Sequence, residues 1–314
     1  MNIALLFPGQ GAQTVGMGKD FCEAYPAADH IFERASDACG INLRKLCFEG
    51  PEDKLTRTDI SQPAILTTSL AVLEVLSGIG ALKGHDIVGM AGLSLGEYSA
   101  HVAAGSMDLE TAVKLVRRRG ELMQQCAERH PGAMAAVVGL DAEKVQAIVD
   151  EATSAGVVTV ANYNAPDQQV VSGEAAAVDK AVELAESAGA RVMRLKVAGA
   201  FHSPLMQEAA DELMAELQTV EFRDDLLPLV SNVTAEVVSD AETIPATLSK
   251  QLTSSVRWVD GVRKLIDLGA ERFIEMAPGK VLRGLVRKID RSVPCVSVNT
   301  VDAVNKVPEA KDTV

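Results

Sequence analysis

The stretch that decides the fold is DIVGMAGLSLGEYSAHVAA, at positions 86–104. It starts with a mainly apolar run of strand length and ends with residues typical of a buried helix. Between them, Gly92-Leu93-Ser94-Leu95-Gly96 fits the pattern G-x-S-x-G. A strand, a tight glycine turn and a helix in this order are typical of an α/β protein with a parallel sheet.

Strands and helices alternate on both sides of this stretch. NIALLF at 2–7 predicts a buried strand, and helical periodicity follows over about 19–38. Ser61 as a cap and Pro63 in the first turn predict a helix start near 61, and another helix is expected over 110–128. Beyond residue 198 we expect strands at 227–233, 272–278 and 294–299, and helices from Ser203, near 242–252, at 256–268 and at 280–289.

The segment from 133 to 197 has a different order. Its patterns predict β-α-β-β-α-β, which is the ferredoxin-like arrangement. The predicted fold class is therefore α/β, with a large parallel-sheet domain formed by residues 1–130 and 198–302 and a ferredoxin-like small domain inserted at 131–197. The polar residues 303–314 are expected to form a frayed tail.

The composition predicts a soluble, cytoplasmic protein. Hydrophobic residues make up 47% of the 314 residues, and the net charge of −13 argues against a nucleic-acid-binding surface. The five cysteines show no CxxC spacing, so we expect reduced thiols and no metal site. No basic segment precedes the first apolar run, and we find no apolar stretch of about 18 residues, so neither a signal peptide nor a membrane span is expected.

Ser94 is the candidate nucleophile. Glycines on both sides permit a sharp turn that lifts its hydroxyl clear of the sheet. The N–H of Leu95, at the start of the following helix, can donate to a developing oxyanion. Gln10 lies between Gly9 and Gly11 and offers a second N–H. The alternatives are a structural serine in a tight turn and, for the glycine loop, a plain connection from strand to helix.

His202 is the candidate base for this serine. It lies in Gly199-Ala200-Phe201-His202-Ser203-Pro204, between a strand end and a helix start, where α/β proteins form their sites. His101 follows Ser94 by two helical turns, about 10 Å of axial rise, which is too far for a hydrogen bond. His130, in a loop before the small domain, is the rival base. Two further histidines are expected in surface or packing positions: His30 and His85.

Arg119 is the candidate anion-binding residue. It falls near the middle of the apolar face of the helix predicted over 110–128, at about 100° per residue. A guanidinium directed inward is costly unless it meets an anion. Arg119 therefore either belongs to a structural ion pair or binds a substrate carboxylate, which it can hold with two hydrogen bonds.

A series of short segments along nearly the whole chain points to one family. The segments are FPGQG at 7–11, SQPA at 61–64, GLSLGEY at 92–98, RG at 119–120, GAM at 132–134, ANYNAPDQQVVSG at 161–173, AFHSPLM at 200–206, Gln251 and APGKVL at 277–282. In this order they resemble the malonyl-CoA:acyl carrier protein transacylases of fatty-acid synthesis and the related acyltransferase domains of polyketide synthases.

The resemblance implies a fold and a reaction. The fold is an α/β-hydrolase-like large domain with a ferredoxin-like insertion. The reaction moves a malonyl group from malonyl-CoA to the phosphopantetheine thiol of acyl carrier protein through a malonyl-serine intermediate. It needs no resident cofactor, since the phosphopantetheine belongs to the partner. Neither nucleic acid nor membrane is an expected partner, and the sequence leaves the oligomeric state open, a monomer included.

The resemblance also implies residue roles. Ser94 matches the acylated serine and His202 its base. Arg119 matches the arginine that binds the malonyl carboxylate, and Gln251 matches the residue whose main-chain carbonyl orients the histidine. Two main-chain N–H groups match the oxyanion donors, those of Gln10 and Leu95.

Two positions depart from the family pattern. Leu93 replaces the histidine of G-H-S-x-G, and because that histidine is not the base we expect the chemistry to survive. Malonyl-selective polyketide acyltransferases often carry H-A-F-H before the base, where this chain has Gly199-Ala200-Phe201-His202. The ring of Phe201 would crowd a methyl branch and favours malonyl, whereas Gly199 weakens the match.

Two other functions fit parts of the pattern. A serine esterase or thioesterase shares G-x-S-x-G, but a hydrolase has no use for an inward Arg119, and its triad normally runs in the order Ser, Asp/Glu, His. A scaffold that binds carrier proteins without turnover is the non-enzymatic alternative. The sequence does not decide between fatty-acid and polyketide pathways, and it does not locate the carrier-protein docking surface.

Overall fold

The computed structural model describes residues 1–197, 199–224, 227–238 and 240–308. Its strands are β1 (Asn2–Phe7), β2 (Asp86–Gly92), β3 (Ala133–Val138), β4 (Val158–Ala165), β5 (Gln168–Gly173), β6 (Arg191–Arg194), β7 (Leu229–Val230), β8 (Val237–Val238), β9 (Arg272–Met276) and β10 (Cys295–Val298). Its α-helices are α1 (Lys19–Ala24), α2 (Pro26–Cys39), α3 (Leu43–Glu49), α4 (Glu52–Thr56), α5 (Thr58–Gly78), α6 (Gly96–Ala104), α7 (Leu109–Arg129), α8 (Ala142–Ala152), α9 (Ala175–Ser187), α10 (Gln207–Leu217), α11 (Ile244–Lys250), α12 (Trp258–Asp267) and α13 (Val281–Ile289).

The larger sheet has the strand order β10-β9-β1-β2-β7-β8. All neighbouring pairs are parallel except β7 and β8. β1 lies inside the sheet and is buried from Ile3 to Phe7, as its continuous apolar run predicts for a strand covered on both faces. In the register of β1 and β2, Phe7 is opposite Gly92. The loops that follow these two strands therefore emerge side by side.

The second sheet has the order β4-β5-β3-β6, and every pair in it is antiparallel. Its two helices, α8 and α9, pack on it around a core of their own. This is the predicted ferredoxin-like order, and all four strands fall within residues 131–197. Backbone hydrogen bonds from Tyr163 to Val256 and from Val256 to Ala161 join its edge strand to the rest of the protein. The α/β class with two sheets is thus confirmed.

Two predicted helix bounds are wrong. The periodicity over 19–38 divides into α1 and α2 at Tyr25, because a residue before proline avoids the helical conformation, and Pro26 follows. α5 begins at Thr58 rather than near Ser61, which is a buried interior residue. The first turn of α5 packs on α7 so closely that a Cβ at Gly120 would lie 2.6 Å from the Thr58 carbonyl oxygen. The first residue of α5 is thus determined by its packing against α7 and not by the local cap pattern.

The tail prediction is also wrong for the part that the structure describes. Residues 301–306 form a 3₁₀ helix in which Ala303 and Val304 are buried, and Val307 packs against the main core. The buried small apolar side chains of Ala303, Val304 and Val307 give this segment enough contact to order it. Residues 309–314 lie outside the described residues.

Helix α5 is long and apolar enough to cross a membrane by length and composition alone. However, 78% of the 18-residue apolar stretch within this helix is buried inside the protein. It contacts α2 and α7 and forms a central part of the core. Burial on all sides explains its apolar composition, as in the core helix of a soluble protein.

Glu275, the last residue but one of β9, carries a fully buried carboxyl group. Its oxygens accept hydrogen bonds from the main-chain N–H groups of Leu282 (2.8 Å) and Arg283 (3.1 Å), in the first turn of α13, and from the Ser297 hydroxyl (2.5 Å). Burial raises the pKa of this carboxyl. The side chain thus caps a helix from inside the sheet, which joins β9, β10 and α13.

We expect Glu275→Ala to lower the free energy of unfolding by about 3 kcal/mol, because it leaves buried donors without an acceptor. Urea unfolding measures the change. Glu186→Ala, at an exposed position of α9, is the control and should change stability by less than about 0.5 kcal/mol. Equal stability of the two variants would show that the buried cap contributes nothing.

Candidate active site

Ser94 lies at a strained turn between β2 and α6. Its φ is +52°, in the left-handed region that residues other than glycine rarely adopt. The turn closes only because Gly92 and Gly96, two positions before and after Ser94, lack a side chain. A Cβ at Gly92 would lie 2.0 Å from the Gly96 carbonyl oxygen, and a Cβ at Gly96 would lie 2.1 Å from the Phe7 carbonyl oxygen. The strand–turn–helix context predicted for G-x-S-x-G is therefore present.

Asn232 holds this turn from the neighbouring strand. It follows β7, and its side-chain oxygen accepts a hydrogen bond from the Ser94 N–H (2.6 Å), while its side-chain nitrogen donates to the Gly92 carbonyl (2.6 Å). These contacts span about 140 positions of the sequence. Asn232 is not among the predicted site residues, because nothing in the local pattern VSNV indicates which distant turn it contacts.

His202 lies beside Ser94. The Ser94 Oγ and the His202 Nε2 are 2.8 Å apart, and the His202 Nδ1 lies 2.8 Å from the Gln251 carbonyl oxygen. A carbonyl only accepts hydrogen bonds, so Nδ1 carries the proton and Nε2 is free to accept the serine proton. Burial, followed by the nearby charge of Arg119, lowers the pKa of His202 to about 4. The imidazole is therefore neutral at physiological pH.

The other histidines lie away from Ser94. His130, the rival base, is exposed and contacts Glu208 at 3.1 Å. His101 is buried against the Ser106 hydroxyl, at 2.9 Å. The remaining two lie elsewhere: the exposed His30 is beside Glu33, and the half-buried His85 is beside the carbonyl of Pro308. Geometry thus excludes all of them as bases for Ser94 in this arrangement.

Arg119 points into the same site. It is 1% exposed, and its guanidinium donates to the side-chain oxygens of Gln62 (2.7 Å) and Gln251 (2.9 Å) and to the Ser94 Oγ (3.2 Å). The ring of Tyr98 lies 5.6 Å from its Cζ. In the described part of the chain no carboxylate lies within ion-pair distance of Arg119, so the structural ion pair that the sequence left open is not formed there. Its neighbours are neutral acceptors, and burial lowers its pKa.

Glu97 and Gln251 complete the buried network. Both side chains are fully buried, and the Gln251 Nε2 donates to the Glu97 Oε2 (2.5 Å) and to the Ser94 carbonyl (3.1 Å). Burial raises the pKa of Glu97. The family resemblance implies a role for Gln251 through its carbonyl only, and neither Glu97 nor Gln62 is among the predicted site residues. A charged residue at the start of the otherwise apolar helix GEYSAHVAA was the signal for Glu97.

Gln10 and Leu95 present the expected main-chain donors. Among the described residues, neither N–H makes a hydrogen bond to the rest of the chain. The Gln10 loop packs directly on the serine turn, since a Cβ at Gly9 would lie 2.3 Å from the Leu93 carbonyl oxygen. The Gln10 side chain is held by the Thr58 hydroxyl at 3.3 Å. Two free N–H groups are thus available beside the nucleophile.

Ser94 and His202 open onto a cleft of about 310 Å³ between the two sheets. Phe201, 5% exposed, lines it on one side, and the second sheet contributes Met134, Asn162 and Val170. Leu93 also lines the cleft, where the family pattern has histidine. No cluster of three His, Cys, Asp or Glu side chains that could hold a metal ion occurs in the described ranges.

The chain is similar to known acyl transferases. Residues 4–309 match the family model described as an acyl transferase domain. A malonyl CoA-acyl carrier protein transacylase of Bacillus subtilis (strain 168) is 44% identical over 305 residues, which cover 96% of this chain and 95% of that protein.

Solved structures agree with these matches. An acyl carrier protein S-malonyltransferase of Vibrio cholerae is 40% identical, with a TM-score of 0.94 over 98% of this chain and 99% of that one. A malonyl-transacylase in complex with its type II PKS acyl-carrier protein is 37% identical, with a TM-score of 0.94 and the same coverage. Both the sequence and the fold match over nearly their whole length, and the chain therefore belongs to the malonyl CoA-acyl carrier protein transacylase family of acyl transferases.

Proposed function

We propose that this chain transfers a malonyl group from malonyl-CoA to the phosphopantetheine thiol of an acyl carrier protein, through an ester on Ser94. The observation that carries the proposal is the buried guanidinium of Arg119, which has no carboxylate partner among the described residues and touches the Ser94 hydroxyl. A serine hydrolase needs only the nucleophile, the base and the oxyanion donors. A buried cation beside them favours a donor that carries its own carboxylate.

In the first step the donor carboxylate pairs with Arg119, and the thioester carbonyl lies next to Ser94. The His202 Nε2 takes the hydroxyl proton while Oγ forms a bond to the carbonyl carbon. The main-chain N–H groups of Gln10 and Leu95 stabilise the oxyanion. The intermediate collapses, the carbon–sulfur bond breaks, and coenzyme A leaves with the proton from His202. The malonyl group stays on Ser94 as an ester.

In the second step the carrier-protein thiol gives its proton to His202 and attacks the ester carbonyl. The carbon–oxygen bond breaks, and the Ser94 oxygen takes the proton back, which restores the free enzyme. The carbonyl of Gln251 keeps the imidazole in one tautomer throughout. Water would hydrolyse the ester, so the narrow cleft protects it until the thiol arrives.

The remaining expectations follow from this chemistry. The two steps use only side-chain and main-chain groups of this chain and the partner's phosphopantetheine, so we propose that no resident cofactor or metal takes part. We also propose a cytoplasmic location, since acyl-CoA donors and carrier proteins meet there. Phe201 lines the cleft beside His202, and we infer that it disfavours donors with a 2-methyl branch.

The product can enter fatty-acid or polyketide synthesis. The similar proteins are named malonyl CoA-acyl carrier protein transacylases, and this name states no pathway. One of the similar structures is a complex with a type II PKS acyl-carrier protein. We propose fatty-acid synthesis, the pathway of the family that the segments resemble. Transfer rates to carrier proteins from the two pathways, measured with the same malonyl donor, would distinguish them.

Brief exposure to malonyl-CoA should add one malonyl group to the peptide that contains Ser94, as measured by mass spectrometry. Ser94→Ala should abolish the adduct because it removes the attacking oxygen. The matched control is Ser99→Ala, which alters a buried serine in the helix α6 that follows Ser94. This variant should be acylated as the unmodified chain is. An adduct that persists in Ser94→Ala would refute the assignment of the nucleophile.

Arg119→Ala should lower kcat/KM for malonyl-CoA on the order of 100-fold, since a buried charge partner of the carboxylate is lost. With acetyl-CoA, which has no carboxylate, the same variant should stay within about threefold of the original rate or exceed it. Arg118→Ala, which removes partly exposed ion pairs with Glu121, Glu212 and Glu216, is the control and should change neither rate more than about twofold. Equal losses with both donors in Arg119→Ala would remove Arg119 from donor selection.

The pKa of His202 sets the acid limit of acylation. Because the neutral imidazole is the active form and its pKa is about 4, the rate of acyl-enzyme formation should stay level from neutral pH down to about 5 and then fall. In Arg119→Ala the loss of a nearby positive charge favours the imidazolium, so the fall should move to higher pH with acetyl-CoA as donor. Rapid-quench acylation after a pH jump measures both profiles. A fall centred near pH 6.5, the value of an unperturbed histidine, would contradict the prediction.

A further inference from the structure

We propose that Glu97 is a positioning residue for donor selectivity: it fixes the side-chain amide of Gln251 with its oxygen toward Arg119, and it thereby holds the Arg119 guanidinium where it meets the donor carboxylate. The proposal rests on the proposed function, since it concerns the same site. Glu97 itself contacts neither the nucleophile's hydroxyl nor the base in the described structure, so its effect passes through Gln251.

The contacts of Glu97 are those of a dedicated acceptor. The side chain is 0% exposed, and its Oε2 accepts from the Gln251 Nε2 (2.5 Å) and from the Asn232 main-chain N–H (3.3 Å). Its Oε1 has no hydrogen-bond partner, and no Lys or Arg lies within ion-pair distance of it in the described ranges. Burial raises the pKa of this carboxyl, and the nearby His101 and the hydrogen bond from Gln251 oppose that rise. A buried carboxyl is unfavourable for stability, so its position beside the nucleophile turn calls for a functional explanation.

The amide of Gln251 can point in two ways, and its neighbours select one. An amide presents an acceptor on one side and two donors on the other. Glu97 accepts from the nitrogen, and Arg119, which can only donate, meets the oxygen at 2.9 Å. The hydrogen bonds therefore run in one direction, from Arg119 through Gln251 to Glu97. Reversal of the amide would face its N–H₂ against the guanidinium, which is repulsive.

Charge adds to this geometry. Arg119 is buried and meets neutral oxygens at Gln62, Gln251 and Ser94. Burial lowers the pKa of Arg119, and the neighbouring side chains of Tyr98 and Glu97 oppose this lowering. One amide thus separates the guanidinium from the carboxyl group of Glu97. Because no carboxylate of the described residues contacts the guanidinium directly, a donor carboxylate can still pair with it.

Gln251 contacts the base His202 and the anion-binding Arg119 through different atoms. Its main-chain carbonyl accepts from His202, whereas its side-chain oxygen accepts from Arg119. The main chain at this point belongs to a 3₁₀ helix at 251–253, which does not depend on the amide orientation. Loss of the Glu97 acceptor should therefore disturb Arg119 more than the base. The expected signature is a change in donor preference and not a uniform loss of rate.

The test is the ratio of kcat/KM for malonyl-CoA to kcat/KM for acetyl-CoA, measured on one preparation of Glu97→Gln. The substituted amide can donate to Gln251, so the Gln251 amide can reverse, and we expect the ratio to fall at least about fivefold. Because the ratio cancels the concentration of active enzyme, partial misfolding does not affect it. Should Glu97→Gln not fold at all, Glu97→Asp replaces it, since the shorter side chain withdraws the acceptor and should lower the ratio too.

Two controls make the result specific. Glu275→Gln removes the charge of another fully buried glutamate, outside the site, and should leave the donor ratio unchanged. In an Arg119→Ala background, Glu97→Gln should cause no further fall in the ratio, because the group that it positions is absent. An unchanged ratio in Glu97→Gln, equal losses with both donors, or the same fall in the Arg119→Ala background would each overturn the proposal.

The outcome is separable from that of the proposed function. If the unmodified chain forms no malonyl ester on Ser94, the transfer reaction itself is refuted. If the ester forms and the donor ratio of Glu97→Gln equals that of the unmodified chain, only the role of Glu97 is refuted.

Discussion

The buried guanidinium of Arg119 is the constraint on which the rest of the site depends. A cation removed from water needs either a counter-ion or several oriented acceptors, and here only neutral oxygens contact it. Gln62 comes from α5, Ser94 from the turn after β2, and Gln251 from the end of α11. Elements distant in sequence must therefore meet at one point before the charge can be accommodated. Their convergence defines both the active site and this part of the core.

The parallel sheet supplies this convergence. The carboxyl ends of β1 and β2 are adjacent, so the Gln10 loop and the Ser94 turn come into contact. Contact at that distance is possible only without a Cβ at Gly9. The strained φ of Ser94 is held by Asn232, which emerges from the next strand. The nucleophile is thus positioned by neighbours in the sheet and not by its own helix.

The sequence predicts what is local and misses what is distant. β1 and β2 were predicted at their observed bounds because apolar runs end abruptly at glycine turns, and Arg119 was placed inward by helical periodicity. The start of α5 was missed because packing against Gly120 outweighs the cap pattern. Within the site, Asn232 and Glu97 were missed because their partners lie more than a hundred positions away. No periodicity encodes such contacts. The roles assigned through the family resemblance stay predictions until the acyl-enzyme is trapped.

Burial is the largest cause of the low pKa of His202 and of the lowered pKa of Arg119. Exclusion of water from these side chains weakens the base, and the neighbouring cation weakens it further. The same exclusion strengthens the attraction between the guanidinium and a carboxylate, and it protects an ester from hydrolysis. A donor carboxylate that pairs with Arg119 also offsets the smaller of the two effects on His202, because it neutralises the cation beside the imidazole. Such a donor therefore raises the basicity of His202 at the moment when the Ser94 proton must be removed.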